Sequence, residues 1–359
     1  MNAMTTRERF QAVMNFQPFD RLPIVEWAPW WDKTLERWQS EGLPAPLADS
    51  YDPLTDRYDL CRHFGLDLIW QDWIRAMRPT CPLPASHGEA LISTMSDYEK
   101  IRPHLFPDVD DAVRQFLFPR TEMPSERWGL WREWAQLQQQ GEAVLWLTLD
   151  GFFWFPRMLL GIEPHLYAFY DEPELIHRIN TDLAAWHVRI IEKIGSICSP
   201  DFMTFAEDLS YNNGPMLSKD LFDEFLKPYY AQVIPTLKKH GIIPIADSDG
   251  DITVPADWFE EVGIEGILPL ERQAGVDIAR VRAEHPRMRF IGHFDKMTMN
   301  QGEAAMRAEF ERLLPTAARG GFVVGVDHQT PPSVSYQEYK LFLSLFREYG
   351  EEAGRLSRL

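Results

Sequence analysis

Several short apolar segments of this chain stop abruptly at an acidic residue or a histidine. Residues 242–246 run into Asp247, and residues 322–326 run into Asp327 and His328. Strands that end in carboxylates are unusual, because burying charge is costly unless the charge is paired or bound to a metal. Repetition of this pattern favours a parallel barrel, in which the carboxyl ends of the strands build the active site.

Eight such apolar segments alternate with helical patterns along the chain. The sequence predicts strands at Leu22–Glu26, Leu66–Trp70, Ala143–Leu149, Phe202–Ala206, Ile242–Ala246, Gly266–Leu270, Met288–Gly292 and Phe322–Val326. It predicts helices at Thr5–Met14, Ser125–Gln140, Pro173–Ile194, Ser218–Lys239, Trp258–Val262, Ala304–Arg319 and Ser335–Glu348. We therefore predict an α/β fold of the (β/α)8 TIM-barrel class, with an N-terminal extension and a single domain over residues 1–359.

A long insertion is expected after the second strand. Residues 75–125 are rich in proline and turn residues and show no regular apolar pattern. Connections of this length are uncommon in compact domains unless they are functional. We therefore expect a lid-like segment over the barrel mouth.

Composition narrows the classes of function. The formal net charge is −18 and the chain has no basic run, which speaks against nucleic-acid binding. No window approaches the roughly 18 consecutive apolar residues of a membrane span, and no GxGxxG or P-loop motif follows a strand. The three cysteines are far apart and the first residues lack the apolar region of a secretory signal. These features favour a cytoplasmic location.

Twelve polar residues stand at the ends of the predicted strands. Ten are carboxylates and two are histidines: Glu26, Asp72, Asp150, Glu207, Asp208, Asp247, Asp249, Glu271, His293, Asp295, Asp327 and His328. In a barrel they would meet at one mouth, where a cluster of like charges raises pKa values or requires a cation. Oxygen and imidazole ligands suit Zn²⁺, Mn²⁺ or Fe²⁺.

The sharpest metal-ligating set is Asp247, Asp249 and His328. Side chains at positions i and i+2 of a strand share a face, so the two aspartates can reach one point. His328 would lie across the mouth on the eighth strand. Two alternatives stay open, because Asp247 and Asp249 could instead cap the following turn or remain in solvent without a partner.

Other strand-end residues are candidates for catalysis and substrate binding. The catalytic candidates are Asp72, Glu207 and His293, and the substrate-binding candidates are Trp27, Trp30, Asp150, Arg272 and Asp295. Structural roles are the alternatives: an ion pair for Glu207, surface exposure for Asp72, loop hydrogen bonds for His293 and Asp295, and core packing for the tryptophans.

The chain resembles the uroporphyrinogen decarboxylase superfamily over nearly its whole length. The resemblance lies in Thr5–Phe10, Asp20–Pro23, Glu207–Leu209, Asn213–Ser218, Asp247–Ile252, Gly292–Lys296, Gly320–Phe322 and Asp327–His328. That superfamily contains haem-pathway decarboxylases and zinc-dependent methyltransferases that move methyl groups to or from cobamides and thiols. The resemblance implies a (β/α)8 barrel.

The decarboxylases of that superfamily hold the substrate's carboxylates with two arginines after the first strand. Ala28 and Asp32 occupy those positions in this chain. Asp72 falls near the family's catalytic aspartate and His328 near its C-terminal histidine. A mouth rich in carboxylates without that arginine pair speaks against a porphyrinogen with eight acid groups.

The methyltransferases of the superfamily bind zinc through a His-x-Cys element and a later cysteine. Here Asp247-x-Asp249 occupies the first element and His328 roughly the second. The resemblance therefore implies a metal at this place with harder ligands than thiolates.

We hypothesise a metal-assisted methyltransferase-like enzyme that moves a methyl group between a small substrate and a cobamide or thiol. A divalent metal, with zinc favoured, would bind at Asp247, Asp249 and His328. The cobamide would be carried by a corrinoid partner protein, and the chain could form a homodimer. The alternatives are a uroporphyrinogen decarboxylase of porphyrin biosynthesis and a non-catalytic barrel that binds a small ligand.

Overall fold

The computed structural model describes residues 3–28, 30–47, 57–86, 88–110 and 127–359. Its contacts divide the chain into two compact units, each built from segments distant in the sequence. The terminal unit comprises Met1–Trp70, Gln136–Val144 and Gly266–Leu359, and the central unit comprises Gln71–Ala135 and Leu145–Glu265.

Helices and strands alternate through most of the described residues, which confirms the α/β class. The strands are β1 (Leu68–Ile74), β2 (Ala143–Asp150), β3 (Phe202–Ala206), β4 (Ser210–Tyr211), β5 (Gly214–Pro215), β6 (Ile243–Asp247), β7 (Gly266–Leu268), β8 (Arg289–Phe294) and β9 (Phe322–Val326). The helices are α1 (Thr6–Met14), α2 (Asp32–Ser40), α3 (Arg57–Phe64), α4 (Met95–Ile101), α5 (Arg127–Gln139), α6 (Trp154–Leu160), α7 (Ile162–Asp171), α8 (Pro173–Gly195), α9 (Lys219–Phe225), α10 (Lys227–Lys239), α11 (Pro255–Val262), α12 (Ile278–Glu284), α13 (Glu303–Ala317) and α14 (Tyr336–Leu356).

Among the described residues the main sheet contains seven strands, and β4 and β5 form a separate antiparallel pair. In the central unit β3 lies parallel to both β2 and β6, with Asp150 beside Ala206 and Ala206 beside Asp247. In the terminal unit β8 lies parallel to both β7 and β9, with Phe294 beside Val326. Within each unit this register brings the carboxyl ends of neighbouring strands level, so the polar residues there lie at one edge of that unit's strands.

The prediction of a strand at Leu22–Glu26 is wrong, because this segment is extended but belongs to no strand. It is held partly by side chains instead of a continuous ladder. Ile24 N donates to the Asp67 carboxylate at 2.9 Å, and the Trp27 indole donates to Val326 O at 2.6 Å.

The predicted helix at Ser218–Lys239 consists of two helices, α9 and α10, that meet at Leu226. Pro228 lies in the first turn of α10, where its missing N–H costs no intrahelical hydrogen bond. Ser218 caps α9 as expected, since its side chain accepts from Leu221 N.

The described part of the expected lid packs against α8. Tyr98 donates to Asp182 at 2.9 Å, and the Trp186 indole donates to Pro107 O at 2.8 Å. Residue 87 and residues 111–125 of the predicted segment lie outside the described residues, so the lid stays a prediction. Among the described residues no helix is both long enough and apolar enough to cross a membrane.

Candidate active site at the strand ends

Three aspartates of the central unit lie together where β3 and β6 end. The backbone amides of Glu207 and Asp208 donate to Asp247 O at 2.8 and 3.3 Å. Asp249 N donates to the Asp208 carboxylate at 3.3 Å. Asp208 has a φ of 43°, a left-handed conformation that is uncommon for residues with a side chain. The acid cluster is therefore Asp208, Asp247 and Asp249.

The acid cluster favours the protonated form of Asp247. Burial raises the pKa of Asp247 well above its ordinary value, and the neighbouring Asp208 and Asp249 raise it further. The Asp247 side chain nevertheless keeps partial contact with solvent. A carboxyl group with a raised pKa keeps its proton to higher pH and can act as an acid toward a bound molecule.

The predicted metal ligands do not form a ready metal site. Across the described ranges, no group of three or more His, Cys, Asp and Glu side chains is arranged to hold a metal ion. Asp247 and Asp249 lie in the central unit and His328 lies in the terminal unit. The donors that the structure does bring together are carboxylates, which attract a proton as well as a metal ion.

Glu207 adjoins the acid cluster but is occupied by protein donors. Its carboxylate is fully buried and accepts from Phe152 N at 2.8 Å, from Phe153 N at 2.7 Å and from the Tyr230 hydroxyl. Burial raises the pKa of Glu207 to about 7, while the Tyr230 hydroxyl and the amides oppose that rise. Glu207 thus anchors the connection between β2 and α6.

Buried arginines lie beside Asp150 and Asp72, the two remaining candidate acids of the central unit. The guanidinium of Arg75 lies 2.9 Å from the carboxylate of Asp150, and Ala76 N donates to the same carboxylate at 2.8 Å. Arg127 lies 3.5 Å from Asp72, which also accepts from the Trp131 indole at 2.9 Å. Each arginine faces a carboxylate, so neither is an isolated positive charge for an anionic substrate.

His293 in the terminal unit is a neutral, fully enclosed side chain. Its Nε2 accepts from Ile278 N and from Arg312, both at 3.3 Å. The opposite nitrogen therefore carries the proton and donates to Leu270 O at 2.7 Å. Burial lowers the pKa of His293 to about 4. Both ring nitrogens form hydrogen bonds with protein groups, so His293 fixes the position of the segments around it.

Asp327 and His328 follow β9 at the edge of the terminal unit. Lys296 lies 3.4 Å from the buried Asp327 carboxylate, and Arg272 N donates to it at 3.1 Å. Burial raises the pKa of Asp327 to about 6, against the opposing charge of Lys296. Burial has the opposite effect on His328, whose pKa it lowers, and the charge of Lys296 lowers that pKa further. Trp27 lies edge-on to His328, with ring centroids 6.1 Å apart.

The remaining substrate-binding candidates of the terminal unit have structural contacts. Trp30 is 2% exposed and packs against Trp38 and Tyr339, as in the core-packing alternative. The Asp295 carboxylate accepts from Met297 N at 2.9 Å. The Arg272 guanidinium donates to a backbone carbonyl at 3.2 Å.

Sequence reasoning missed four residues that shape these sites: Arg75, Arg127, Tyr230 and Lys296. Each has its acidic partner at a remote position in the sequence. The only available signal was that buried acids require partners, and that rule does not say which basic or hydroxyl residue supplies them.

Comparisons with known proteins place the chain among relatives. The model of the uroporphyrinogen decarboxylase family matches residues 158–349, which is more than half of the chain. A methyltransferase from Methanosarcina mazei has a similar structure, with 13% identity, a TM-score of 0.62, and coverage of 96% of this chain and 98% of that chain. A protein provisionally described as a vitamin-B12-independent methionine synthase from Listeria monocytogenes has 13% identity, a TM-score of 0.42, and coverage of 95% and 97%. No curated protein sequence matches significantly.

The likeness to the Methanosarcina structure shows a shared fold. That fold agrees with the parallel sheets described above and with a TIM-barrel-like architecture. The family match confirms the resemblance seen in the sequence motifs. This chain belongs to the uroporphyrinogen decarboxylase family.

Proposed function

We propose that this protein is a methyltransferase-like enzyme whose acid cluster protonates the heteroatom that loses a methyl group. The observation that carries the proposal is the raised pKa of Asp247 beside Asp208 and Asp249. Family membership and the fold shared with the Methanosarcina methyltransferase support methyl transfer as the reaction class.

Removal of a methyl group from a neutral ether, amine or thioether is helped by an acid, because the anion that would otherwise leave is a poor leaving group. In the proposed step the carbon–heteroatom bond breaks, and its electron pair stays on the heteroatom. That atom takes the proton of Asp247, while the nucleophile supplies the electron pair of the new bond to the methyl carbon. Asp247 is left as a carboxylate and regains a proton from water.

The nucleophile proposed here is a cobamide carried by a corrinoid protein, or a thiol. Both come from the family resemblance. Within this scheme the buried contacts of Glu207 and His293 give them positioning roles, since they hold the β2–α6 connection and the end of β8. Asp72 and Asp150 would shape the substrate pocket together with their arginines.

Zinc at Asp247, Asp249 and His328 is a competing proposal that uses two aspartates of the acid cluster. A bound metal would polarise the heteroatom in place of a proton. Metal analysis after dialysis against zinc separates the two. Stoichiometric zinc in the wild type that is lost in Asp249→Ala would contradict the proton-donor account, and zinc-free protein that transfers methyl groups would support it.

The test uses cob(I)alamin, kept reduced by a chemical reductant such as titanium(III) citrate, as acceptor and a panel of methyl ethers, methylamines and thioethers as donors. Formation of methylcobalamin is followed by visible absorbance. We expect Asp247→Asn to lower the rate roughly 100-fold, as for loss of a general acid. Asp220→Asn changes an exposed acid at the start of α9 and is expected to leave the rate unchanged.

Two outcomes would contradict this proposal. An Asp247→Asn protein with the wild-type rate would show that the acid cluster does not donate the proton. A wild type that releases carbon dioxide from a porphyrinogen, with the release abolished in Asp72→Asn, would show decarboxylation instead of methyl transfer.

A further inference from the structure

A pocket lies on the central unit between α7 and the residues that lead into α9. Its volume is about 370 Å³, within the range of small-molecule sites. One wall is a face of α7 that carries Glu163, Tyr167 and Tyr170, and the other includes Met216 and Ser218. None of these residues belongs to the acid cluster.

The polar groups of this pocket favour a positively charged ligand. Among the described residues that line it, none is a lysine, arginine or histidine, and Glu163 supplies a carboxylate. The nearest lysine in the sequence, Lys219, is bound by Asp223 at 2.5 Å and by Glu261 at 2.8 Å. An anionic ligand would therefore meet a carboxylate and find no free cation in the lining.

The two tyrosines of α7 expose unusually large aromatic surfaces. Tyr167 is 60% exposed and Tyr170 is 70% exposed, and their spacing of three residues places them on one helix face. Aromatic rings attract ammonium groups through their quadrupoles, and this attraction underlies the recognition of alkylated ammonium ions. The aromatic rings, the carboxylate and the apolar side chains of this pocket together suit a cation with an apolar surface.

We propose that this pocket binds a small alkylated ammonium ion. The methyl groups of the ligand would contact the rings of Tyr167 and Tyr170 and the side chain of Met216, and Glu163 would balance its charge. The hydroxyl of Ser218 already accepts a hydrogen bond from Leu221 N as the cap of α9. Its contribution to the pocket is therefore mainly to the shape of the wall.

Choline and its neutral isostere, 3,3-dimethylbutan-1-ol, are the probes, because they share shape and differ in charge. Binding to the full chain is measured by calorimetry or ligand-observed NMR. We expect choline to bind about fivefold more tightly than the isostere, and Glu163→Gln and Tyr170→Ala each to weaken choline about threefold. Tyr211→Ala removes an equally exposed tyrosine outside the pocket and should leave choline binding unchanged.

Equal affinity for choline and the isostere would overturn the proposal, because the pocket would then recognise apolar shape alone. Choline binding that survives both Glu163→Gln and Tyr170→Ala at full strength would overturn it as well. Circular dichroism of the variants checks that each one folds. The readout is binding, so its result is independent of the methyl-transfer proposal.

Discussion

At the scale of single residues, the site depends on how closely Gly151 approaches Glu207. A Cβ added to Gly151 would lie 2.3 Å from the carboxyl carbon of Glu207 and 2.4 Å from Ala206 O. Only glycine leaves room for the carboxylate to reach the amides of Phe152 and Phe153. Position 151 after β2 therefore requires glycine, because the carboxylate of Glu207 after β3 fills the space that a Cβ would need.

Gly151→Ala should lower the free energy of unfolding by about 1–3 kcal/mol, because the added methyl group overpacks a buried site. Urea denaturation measures the change. The matched control is Gly350→Ala in α14, where a Cβ would have its nearest neighbours at 3.6 Å. There we expect a gain of about 0.4–1 kcal/mol. An equal loss in both variants would contradict the steric argument.

At the scale of elements, α10 supports the end of β3 through one hydroxyl group. Tyr230 is fully buried and donates to Glu207, whereas its neighbour Tyr229 bonds to His177, 2.8 Å from its ring nitrogen. Two adjacent tyrosines of one helix thus have separable roles, and only one of them bears on the site.

Tyr230→Phe should raise the pKa of Glu207 above about 7, because the lost hydroxyl is the largest influence holding that pKa down. We expect it to cost about 1–3 kcal/mol of stability, as for a buried group left without its partner. Infrared titration measures the pKa, and Tyr229→Phe should leave it unchanged. A pKa of Glu207 that is the same in both variants would refute this link.

The sequence allowed the strand-end acids of β3, β6 and β9 to be predicted, because apolar runs and the polar residues after them are local patterns. Partners such as Tyr230 for Glu207 could not be predicted, since each pairing is made by tertiary packing between remote segments. Leu22–Glu26 was misassigned for a similar reason, because its apolar pattern does not reveal that side chains hold it.

At the scale of the whole molecule, two sets of buried groups pull stability in opposite directions with pH. Raised pKa values of Glu207 and Asp327 favour folding at low pH, and this benefit is lost as pH rises through about 7 and about 6. Burial lowers the pKa values of His165 and His187 to about 3 and of His293 to about 4, which favours folding above their unfolded pKa. Among these five groups three histidines oppose two acids, so their sum should raise stability by about 1.4 kcal/mol per pH unit between about pH 4.5 and 6.

Glu207→Gln should make the contribution of the histidines to the pH dependence of stability easier to measure. The variant lacks one group whose folded pKa is raised, so its stability should rise with pH more steeply than that of the wild type. The difference in slope is about 1.4 kcal/mol per pH unit between pH 4.5 and 7. Urea denaturation across this range measures it, and parallel curves for the two proteins would contradict the raised pKa of Glu207.

The proposed methyl transfer depends on a protonated Asp247 within the acid cluster. Infrared difference spectroscopy of wild type against Asp247→Asn at neutral pH measures this directly. We expect a protonated carboxyl band in the wild type that disappears in Asp247→Asn. The band should titrate at lower pH in Asp249→Asn, because removal of one negative neighbour lowers the pKa of Asp247. A wild type in which Asp247 shows only the carboxylate bands at neutral pH would contradict the proposed role of Asp247 as proton donor.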